Sequence, residues 1–146
     1  MIKKQLPDGL HIDTLAVRAG IDPSQYGENS EALYLTSGFL QPDAATAARR
    51  FAGTEEGFTY GRTSNPTVTA FENRLAALEG TEAAIGASSG MGAILMMGMG
   101  LLKAGDHVLA GDDLYGGTYR LVAKVIANYG IDFDLVEMSD LDAVRA

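Results

Sequence analysis

Short apolar runs alternate with longer, helix-like runs along the second half of the chain. Each short run has the length of a buried strand, and each longer run is rich in helix-favouring residues. The first two longer runs stop at a glycine. Strands separated by helices of about a dozen residues predict right-handed crossovers and therefore a parallel sheet. The predicted order is strand Ala83–Ala87, helix Gly92–Lys103, strand His107–Ala110, helix Thr118–Tyr129, strand Phe133–Glu137 and a helix that begins near Asp140, where Ser139 and Asp142 have capping-box spacing.

The first part of the chain has a different pattern. Residues 1–41 are punctuated by glycine and proline and show little periodicity, which predicts an extended arm. Within this arm we expect a short helix over Asp13–Ala19, capped by Asp13, and an extended segment over Ala32–Phe39. Two helices with clear start and stop signals follow. They are Ala44–Phe51, capped by Asp43 and ended by Gly53, and Pro66–Glu79, capped by Asn65, ended by Gly80 and apolar along Val68, Phe71, Leu75 and Leu78.

These elements predict an α/β protein in two parts. Residues 1–64 form an N-terminal arm and interface segment, and residues 65–146 form an incomplete α/β domain. Three parallel strands with no closing element would leave an apolar edge unpaired. We therefore expect the chain to be a fragment of a longer protein, and the alternative is a true terminus with a partner covering the edge.

Charge and cysteine content exclude several classes of protein. The formal charge of −8 argues against a nucleic-acid surface and against an anionic-membrane binder. The absence of cysteine excludes disulfides and thiolate metal sites and is consistent with a reducing compartment. No apolar core follows Lys3 and Lys4, so the chain does not begin with a signal peptide, and the apolar run Ala93–Leu102 is too short to span a bilayer. We expect a soluble cytoplasmic protein.

The turn Ser88–Gly92 is the first candidate site. A turn between a strand and a helix leaves backbone N–H groups unpaired at the helix N-terminus, where the peptide dipoles favour an anion. Glycine lets a phosphate approach the backbone closely, and the serines add hydroxyl donors. The turn is neither a Walker loop nor a full dinucleotide fingerprint, because Leu95 stands where the third glycine belongs. The alternative is that small residues allow close packing of strand and helix.

Two further positions carry candidate chemistry. Tyr60 and Arg62 place a phenol beside a guanidinium fork that suits a phosphate or a carboxylate, and the alternative is a solvated loop. Tyr115 is positioned to stack on a planar cofactor or to fill the loop after the second strand. Ligands of parallel sheets lie at the carboxyl ends of the strands, so the Ser88–Gly92 turn and the Tyr115 loop are expected at one edge.

Other reactive residue types are given structural roles. Asp112 and Asp113 are adjacent and are expected to point apart, which disfavours a metal site or acid–base work. His11 and His107 are single histidines with expected core or surface roles. The methionines in and immediately before the predicted helix Gly92–Lys103 are expected to pack in the core. They are Met91, Met96, Met97 and Met99.

Together, these motifs resemble the pyridoxal-phosphate-dependent enzymes of cysteine and methionine metabolism, the trans-sulfuration enzymes. The match extends over nearly the whole chain and keeps the family's order. The matching segments are Asp13–Gly20, Tyr60–Thr67, Leu75–Gly80, Ala87–Met91, Gly105–Val108 and Leu114–Thr118.

The resemblance implies the N-terminal part of a fold type I pyridoxal-phosphate-dependent transferase, with the mainly parallel, aspartate-aminotransferase-like large domain preceded by an extended arm. It also implies roles for the site residues. Gly90 and Met91, with Ser89 just before them, would donate to the phosphate of pyridoxal 5'-phosphate. Tyr60 and Arg62 would reach the site of a neighbouring subunit in a homodimer or homotetramer. Tyr115 would stack over the pyridine ring and act catalytically in proton movement.

Within the family, the stretch Ala32–Gly53, and especially Ala44–Gly53, most resembles the O-succinylhomoserine sulfhydrylases, which form homocysteine from a homoserine ester and sulfide in methionine biosynthesis. Those enzymes often carry Phe where Tyr115 stands, which keeps cystathionine γ-synthase, cystathionine lyase and methionine γ-lyase as alternatives. In each case the substrate is a small amino acid.

The family also needs a lysine and an aspartate that lie beyond this stretch. Lys3, Lys4, Lys103 and Lys124 do not match the lysine motif. The 146 residues alone are therefore expected to be inactive. A non-catalytic interaction or phosphate-binding module is the alternative of another class.

Overall fold

The computed structural model describes residues 6–145, which divide into two compact units between Gly86 and Ala87. Lys3, Lys4 and Ala146 lie outside the described residues. The boundary between the predicted arm and interface segment (residues 1–64) and the predicted α/β domain (residues 65–146) stays a prediction. The first unit contains helices α1 (Ile12–Arg18), α2 (Ala44–Phe51) and α3 (Pro66–Glu79), and the second contains α4 (Gly90–Leu101), β1 (His107–Gly111), α5 (Gly116–Lys124), a 3-10 helix (Ile126–Tyr129), β2 (Asp132–Val136) and α6 (Leu141–Arg145).

The ends of α2 and α3 follow the predicted capping residues. The Asp43 side chain accepts the N–H of Thr46, and the Asn65 side chain accepts the N–H of Thr67. Gly80 ends α3 in the left-handed conformation, with φ of 66°. These bonds span two or three residues, which is why the sequence predicts them well.

The predicted cap of α1 is wrong by two residues. His11 occupies the N-cap position, and its ring nitrogen accepts the N–H of Asp13 at 3.3 Å. Asp13 lies in the first turn, where its carboxylate is favourable because the helix dipole is positive there.

The N-terminal arm packs closely on α3 through small residues. A Cβ on Gly20 would lie 2.2 Å from the carbonyl oxygen of Ala70, so only glycine allows this approach. Arg74 then secures the arm by donating to the carbonyl of Ala19 and to the carboxylate of Glu31, both at 2.8 Å.

The apolar face predicted for α3 is not its buried face. Ala70 and Ala76 are the buried residues of the helix, because the arm approaches where side chains are small. The predicted face is exposed at Val68, Phe71 and Leu75, and Leu78 is half-buried.

In the second unit, β1 and β2 pair in parallel, with His107 opposite Asp132, as the alternation predicts. The strand predicted over Ala83–Ala87 does not form in the described chain. The N–H of Gly86 donates instead to the Glu72 carboxylate at 2.7 Å, so a side chain takes the place of a strand partner.

One helix boundary and one helix cap of the second unit also differ from prediction. The helix predicted over Thr118–Tyr129 ends at Lys124, because the Asn128 side chain donates to the Lys124 carbonyl at 2.8 Å and a 3-10 turn follows. Asp140 caps α6 by accepting two backbone N–H groups, whereas the hydroxyl of Ser139 donates to Glu137.

The core of the second unit lies beside α5, where Val122, Ile126 and Ile131 are buried. Gly98 brings α4 against it, since a Cβ there would lie 2.9 Å from Ile126 Cδ1. The prediction that the methionines of α4 fill the core is wrong, because α4 makes this contact through a glycine. Met96, Met97 and Met99 are exposed, and Met91 is half-buried. Between residues 6 and 145, no helix has both the length and the apolar character that a bilayer crossing requires.

Candidate functional site

The first turn of α4 is open and electrically suited to an anion. Ser89 is the N-cap, and its Oγ accepts the N–H of Gly92 at 3.0 Å. Within residues 6–145, the N–H groups of Gly90 and Met91 have no protein acceptor. The helix begins two residues earlier than predicted, which places both residues in its first turn. The turn therefore presents two free donors at the positive end of a helix.

Glycine spacing keeps this turn accessible. A Cβ on Gly90 would meet nothing within 4 Å, so the space in front of the turn is free. A Cβ on Gly92 would lie 3.2 Å from the Ser89 Oγ and would crowd the capping bond. Sequence reasoning treated Gly92 as the start of the helix and missed this role. The available signal was a glycine three residues after a capping serine.

Tyr115 lies just before α5 and is 75% exposed. Gly117 makes room for its ring, since a Cβ there would lie 2.4 Å from Tyr115 Cε1. The Thr118 N–H donates to the Tyr115 carbonyl at 2.8 Å, and the Thr118 Oγ1 lies 3.8 Å from Met91 Sδ. The first turns of α4 and α5 are therefore neighbours, which brings the Ser89 turn and the Tyr115 loop together.

Tyr60 and Arg62 lie in an exposed loop of the first unit. The Arg62 guanidinium carbon lies 5.6 Å from the centre of the Tyr60 ring, a cation–π arrangement. The Gly61 N–H between them donates to the Ser37 carbonyl at 2.8 Å. A Cβ on Gly61 would lie 2.8 Å from the Thr36 carbonyl oxygen, so this approach also depends on glycine.

The segment predicted to be extended, Ala32–Phe39, lies beside this loop. It forms no strand in the described chain and pairs only by a single antiparallel bridge between Gly38 and Tyr60. Asn65 holds it by donating to the Tyr34 carbonyl at 2.9 Å. A surface hollow of about 520 Å³ results. Its lining includes Tyr34, Leu35, Tyr60, Arg62, Asn65 and Thr67.

The described lysines do not lie at the α4 turn. Lys124 ends α5 and is about 12 Å along the helix axis from the end that carries Tyr115. Lys103 follows the C-terminal end of α4. Residues 6–145 also contain no group of three or more His, Asp or Glu side chains arranged to hold a metal ion. His107 instead pairs with Asp134 on the surface, with Nε2 and Oδ2 2.9 Å apart.

The chain matches the sequence profile of one family over residues 13–146, described as "Cys/Met metabolism PLP-dependent enzyme". It is 48% identical over 139 residues to the O-succinylhomoserine sulfhydrylase of Pseudomonas aeruginosa, covering 95% of this chain and 34% of that protein. It is 46% identical to a probable cystathionine gamma-synthase of Herpetosiphon aurantiacus, covering 91% and 39%. It is 43% identical to an L-methionine gamma-lyase of Fusobacterium nucleatum subsp. polymorphum, covering 92% and 34%. The chain thus spans about a third of the length of these relatives.

A solved structure has the same fold over this stretch. The putative O-acetylhomoserine (thiol)-lyase of Campylobacter jejuni aligns with a TM-score of 0.85 and 31% identity, covering 94% of this chain and 34% of that one. That protein contains N'-pyridoxyl-lysine-5'-monophosphate. The α4 turn fits the phosphate of such a group, since it offers two free N–H donors, open space at Gly90 and the positive end of a helix dipole.

Proposed function

The chain belongs to the pyridoxal-phosphate-dependent enzymes of cysteine and methionine metabolism, and we propose that the protein replaces the acyloxy group on Cγ of an O-acylhomoserine with sulfide, forming homocysteine and releasing the carboxylate. Pyridoxal phosphate is the cofactor of this family. The proposal is supported by the 48% identity to an O-succinylhomoserine sulfhydrylase. The observation that carries it is the open first turn of α4 with the exposed Tyr115 beside it.

The α4 turn binds the phosphate of the cofactor in this proposal. The N–H groups of Gly90 and Met91 donate to phosphate oxygens. The Ser89 Oγ already accepts the N–H of Gly92, and its own hydroxyl hydrogen remains available as a third donor. The helix dipole adds to the attraction of a doubly charged phosphate.

Tyr115 orients the cofactor and moves a proton. Its exposed ring stacks on the flat face of the pyridine. The bound cofactor supplies an electron sink for the bonds broken at the substrate's carbon atoms. The Tyr115 Oη carries a proton to or from the substrate as the carboxylate leaves from Cγ and sulfide adds there.

Tyr60 and Arg62 bind the phosphate of the cofactor held by a neighbouring subunit in the proposed homodimer or homotetramer. The guanidinium fork matches phosphate oxygens in two parallel hydrogen bonds. Support comes from the exposure of both residues and from the cation–π contact, which holds Arg62 beside the Tyr60 ring.

A carbon–sulfur lyase is the second candidate. The 43% identity to an L-methionine gamma-lyase favours it. Tyr115 favours it as well, because a phenol hydroxyl beside the cofactor is suited to the proton transfers of elimination.

The test uses the protein encoded by the complete reading frame that contains this chain, purified with pyridoxal phosphate. Homocysteine formation from O-succinylhomoserine or O-acetylhomoserine with sulfide is the expected result, with reactions lacking ester or sulfide as controls. Release of an α-keto acid from methionine without ester-dependent homocysteine would assign the lyase instead. Absence of both products in a protein that binds the cofactor would contradict the proposal.

A further inference from the structure

The side chain of Gln41 holds the base of the loop that carries Tyr60 and Arg62. Its Nε2 donates to the carbonyl oxygens of Phe39 at 2.9 Å and of Phe58 at 3.0 Å. One amide group therefore joins the backbone at Phe39 to the backbone at Phe58, two residues before Tyr60.

The two joined segments already run antiparallel to each other. The Phe39 N–H donates to the Thr59 carbonyl at 3.2 Å, and the centres of the Phe39 and Phe58 rings lie 5.4 Å apart. The next backbone bond, from Gly61 to Ser37, reaches the residue between Tyr60 and Arg62. The position of the loop thus depends on the pairing that Gln41 secures.

Arg50 of α2 fixes the orientation of the Gln41 amide. Its Nη1 donates to the Gln41 Oε1 at 2.9 Å, which directs the NH₂ group toward the two carbonyls. Glu55 holds the arginine from the other side, with its Oε1 3.4 Å from the Arg50 Nε. The Arg50 side chain is 23% exposed, so its charge is partly shielded from water.

The loop backbone itself lies against Arg50. A Cβ on Gly57 would lie 2.4 Å from the Arg50 Nε, and Gly57 has φ of 154°, which L side chains rarely adopt. This contact occurs three residues before Tyr60. Arg50 therefore supports the loop twice, directly at Gly57 and indirectly through Gln41.

We propose that Gln41 and Arg50 are positioning residues for Tyr60 and Arg62, and that they set the affinity of the protein for pyridoxal phosphate. The inference rests on the proposed function, in which Tyr60 and Arg62 bind the phosphate. Gln41 and Arg50 act through the loop and not by contact with the cofactor. A loop already held in its binding conformation loses less conformational freedom when the phosphate binds, which strengthens binding.

The substitution Gln41→Glu separates this role from general stability. The carboxylate still accepts from Arg50, but it loses the two donors and faces the Phe39 and Phe58 carbonyls with negative charge. The matched control is Gln25→Glu, the same change at an exposed residue. Both variants are made in the protein encoded by the complete reading frame.

Two measurements test whether Gln41 holds the loop that carries Tyr60 and Arg62. With the cofactor removed, trypsin should cleave after Arg62 about tenfold faster in Gln41→Glu than in Gln25→Glu, while cleavage after Lys124 in the other unit stays constant. The dissociation constant for pyridoxal phosphate should rise by a similar factor. If Gln41→Glu does not fold, Arg50→Lys serves instead, since lysine keeps the charge and loses the planar fork.

The variant Arg62→Ala distinguishes failure of this inference from failure of the proposed function. If Arg62→Ala weakens cofactor binding and Gln41→Glu does not, the positioning role is overturned and the proposed function stands. If Arg62→Ala leaves cofactor binding unchanged, the proposed role of Arg62 fails and the inference fails with it. Equal cleavage after Arg62 in both glutamine variants overturns the inference directly.

Discussion

Asn65 holds two segments of the first unit together with one buried side chain. Its Oδ1 accepts the N–H of Thr67 at 2.8 Å at the start of α3, and its Nδ2 donates to the Tyr34 carbonyl at 2.9 Å. The residue is only 8% exposed, so water does not readily replace either partner. We expect Asn65→Ala to weaken both attachments at once.

The expected loss is the sum of two local terms. Removing a helix N-cap costs about 1 kcal/mol, and leaving the Tyr34 carbonyl without its donor costs about 1 kcal/mol. A loss of about 2 kcal/mol corresponds to about 30-fold more frequent local opening. Asn65→Ser keeps a capping oxygen and loses only the amide donor to Tyr34, so its effect should be about fivefold.

Hydrogen exchange measured by mass spectrometry reads this opening at the amides of Tyr34 and Thr67. The matched control is Asn73→Ala, an exposed asparagine of α3 where alanine favours the helix slightly. The order of exchange rates should be Asn65→Ala fastest and Asn65→Ser second, with the wild type and the Asn73→Ala control slowest and equal. Exchange of Asn65→Ala within twofold of wild type at both amides would refute this reasoning.

Two further predictions concern the same unit. Gly61→Ala places a Cβ 2.8 Å from the Thr36 carbonyl oxygen. It should lower the free energy of unfolding of the unit, measured in urea, by about 1–3 kcal/mol. An unchanged urea midpoint would contradict the close approach of Gly61 to Thr36. The pKa of the Asp43 carboxyl lies below its ordinary value, first because it accepts the Thr46 N–H and then because it accepts the Thr46 hydroxyl. Its contribution to stability is therefore complete above the ordinary pKa of about 3.9 and is lost as the pH falls through the lowered pKa. Unfolding measured between pH 2 and about 5 should show this loss in wild type and a flatter profile in Asp43→Asn.

The ends of α2 and α3 could be predicted from the sequence, because the bonds that form them are local. Asp43, Asn65 and Gly80 act within a few residues of their positions, so residue type and spacing were sufficient. The sequence also predicts an open turn at Ser88–Gly92, but the start of α4 at Gly90 and the Ser89 cap differ from the prediction.

Features that depend on distant partners could not be predicted in this way. Nothing near Gly86 indicates that Glu72, 14 residues earlier, accepts its N–H. The exposed apolar face of α3 has a similar origin, because the close approach of Gly20 to Ala70 decides which face is buried. Periodicity finds an amphipathic helix but does not identify which neighbour will cover it.

The candidate site also combines residues that the sequence identifies with residues whose role depends on distant partners. Tyr60 and Arg62 stand out by residue type, whereas Gln41 and Arg50 read as an ordinary polar residue and an ordinary helix charge. Their role depends on the hydrogen bond between them across nine positions and on the contact of Arg50 with Gly57. Only the folded chain brings these groups together.

The central claim, that the α4 turn and Arg62 bind the cofactor through its phosphate, is tested most directly by comparing pyridoxal phosphate with pyridoxal. The ratio of their dissociation constants for the cofactor-free protein measures the contribution of the phosphate alone. We expect the ratio to be large in wild type and to fall about tenfold or more in Ser89→Ala and in Arg62→Ala, because each removes a donor to a charged group. An unchanged ratio in both variants would contradict the account.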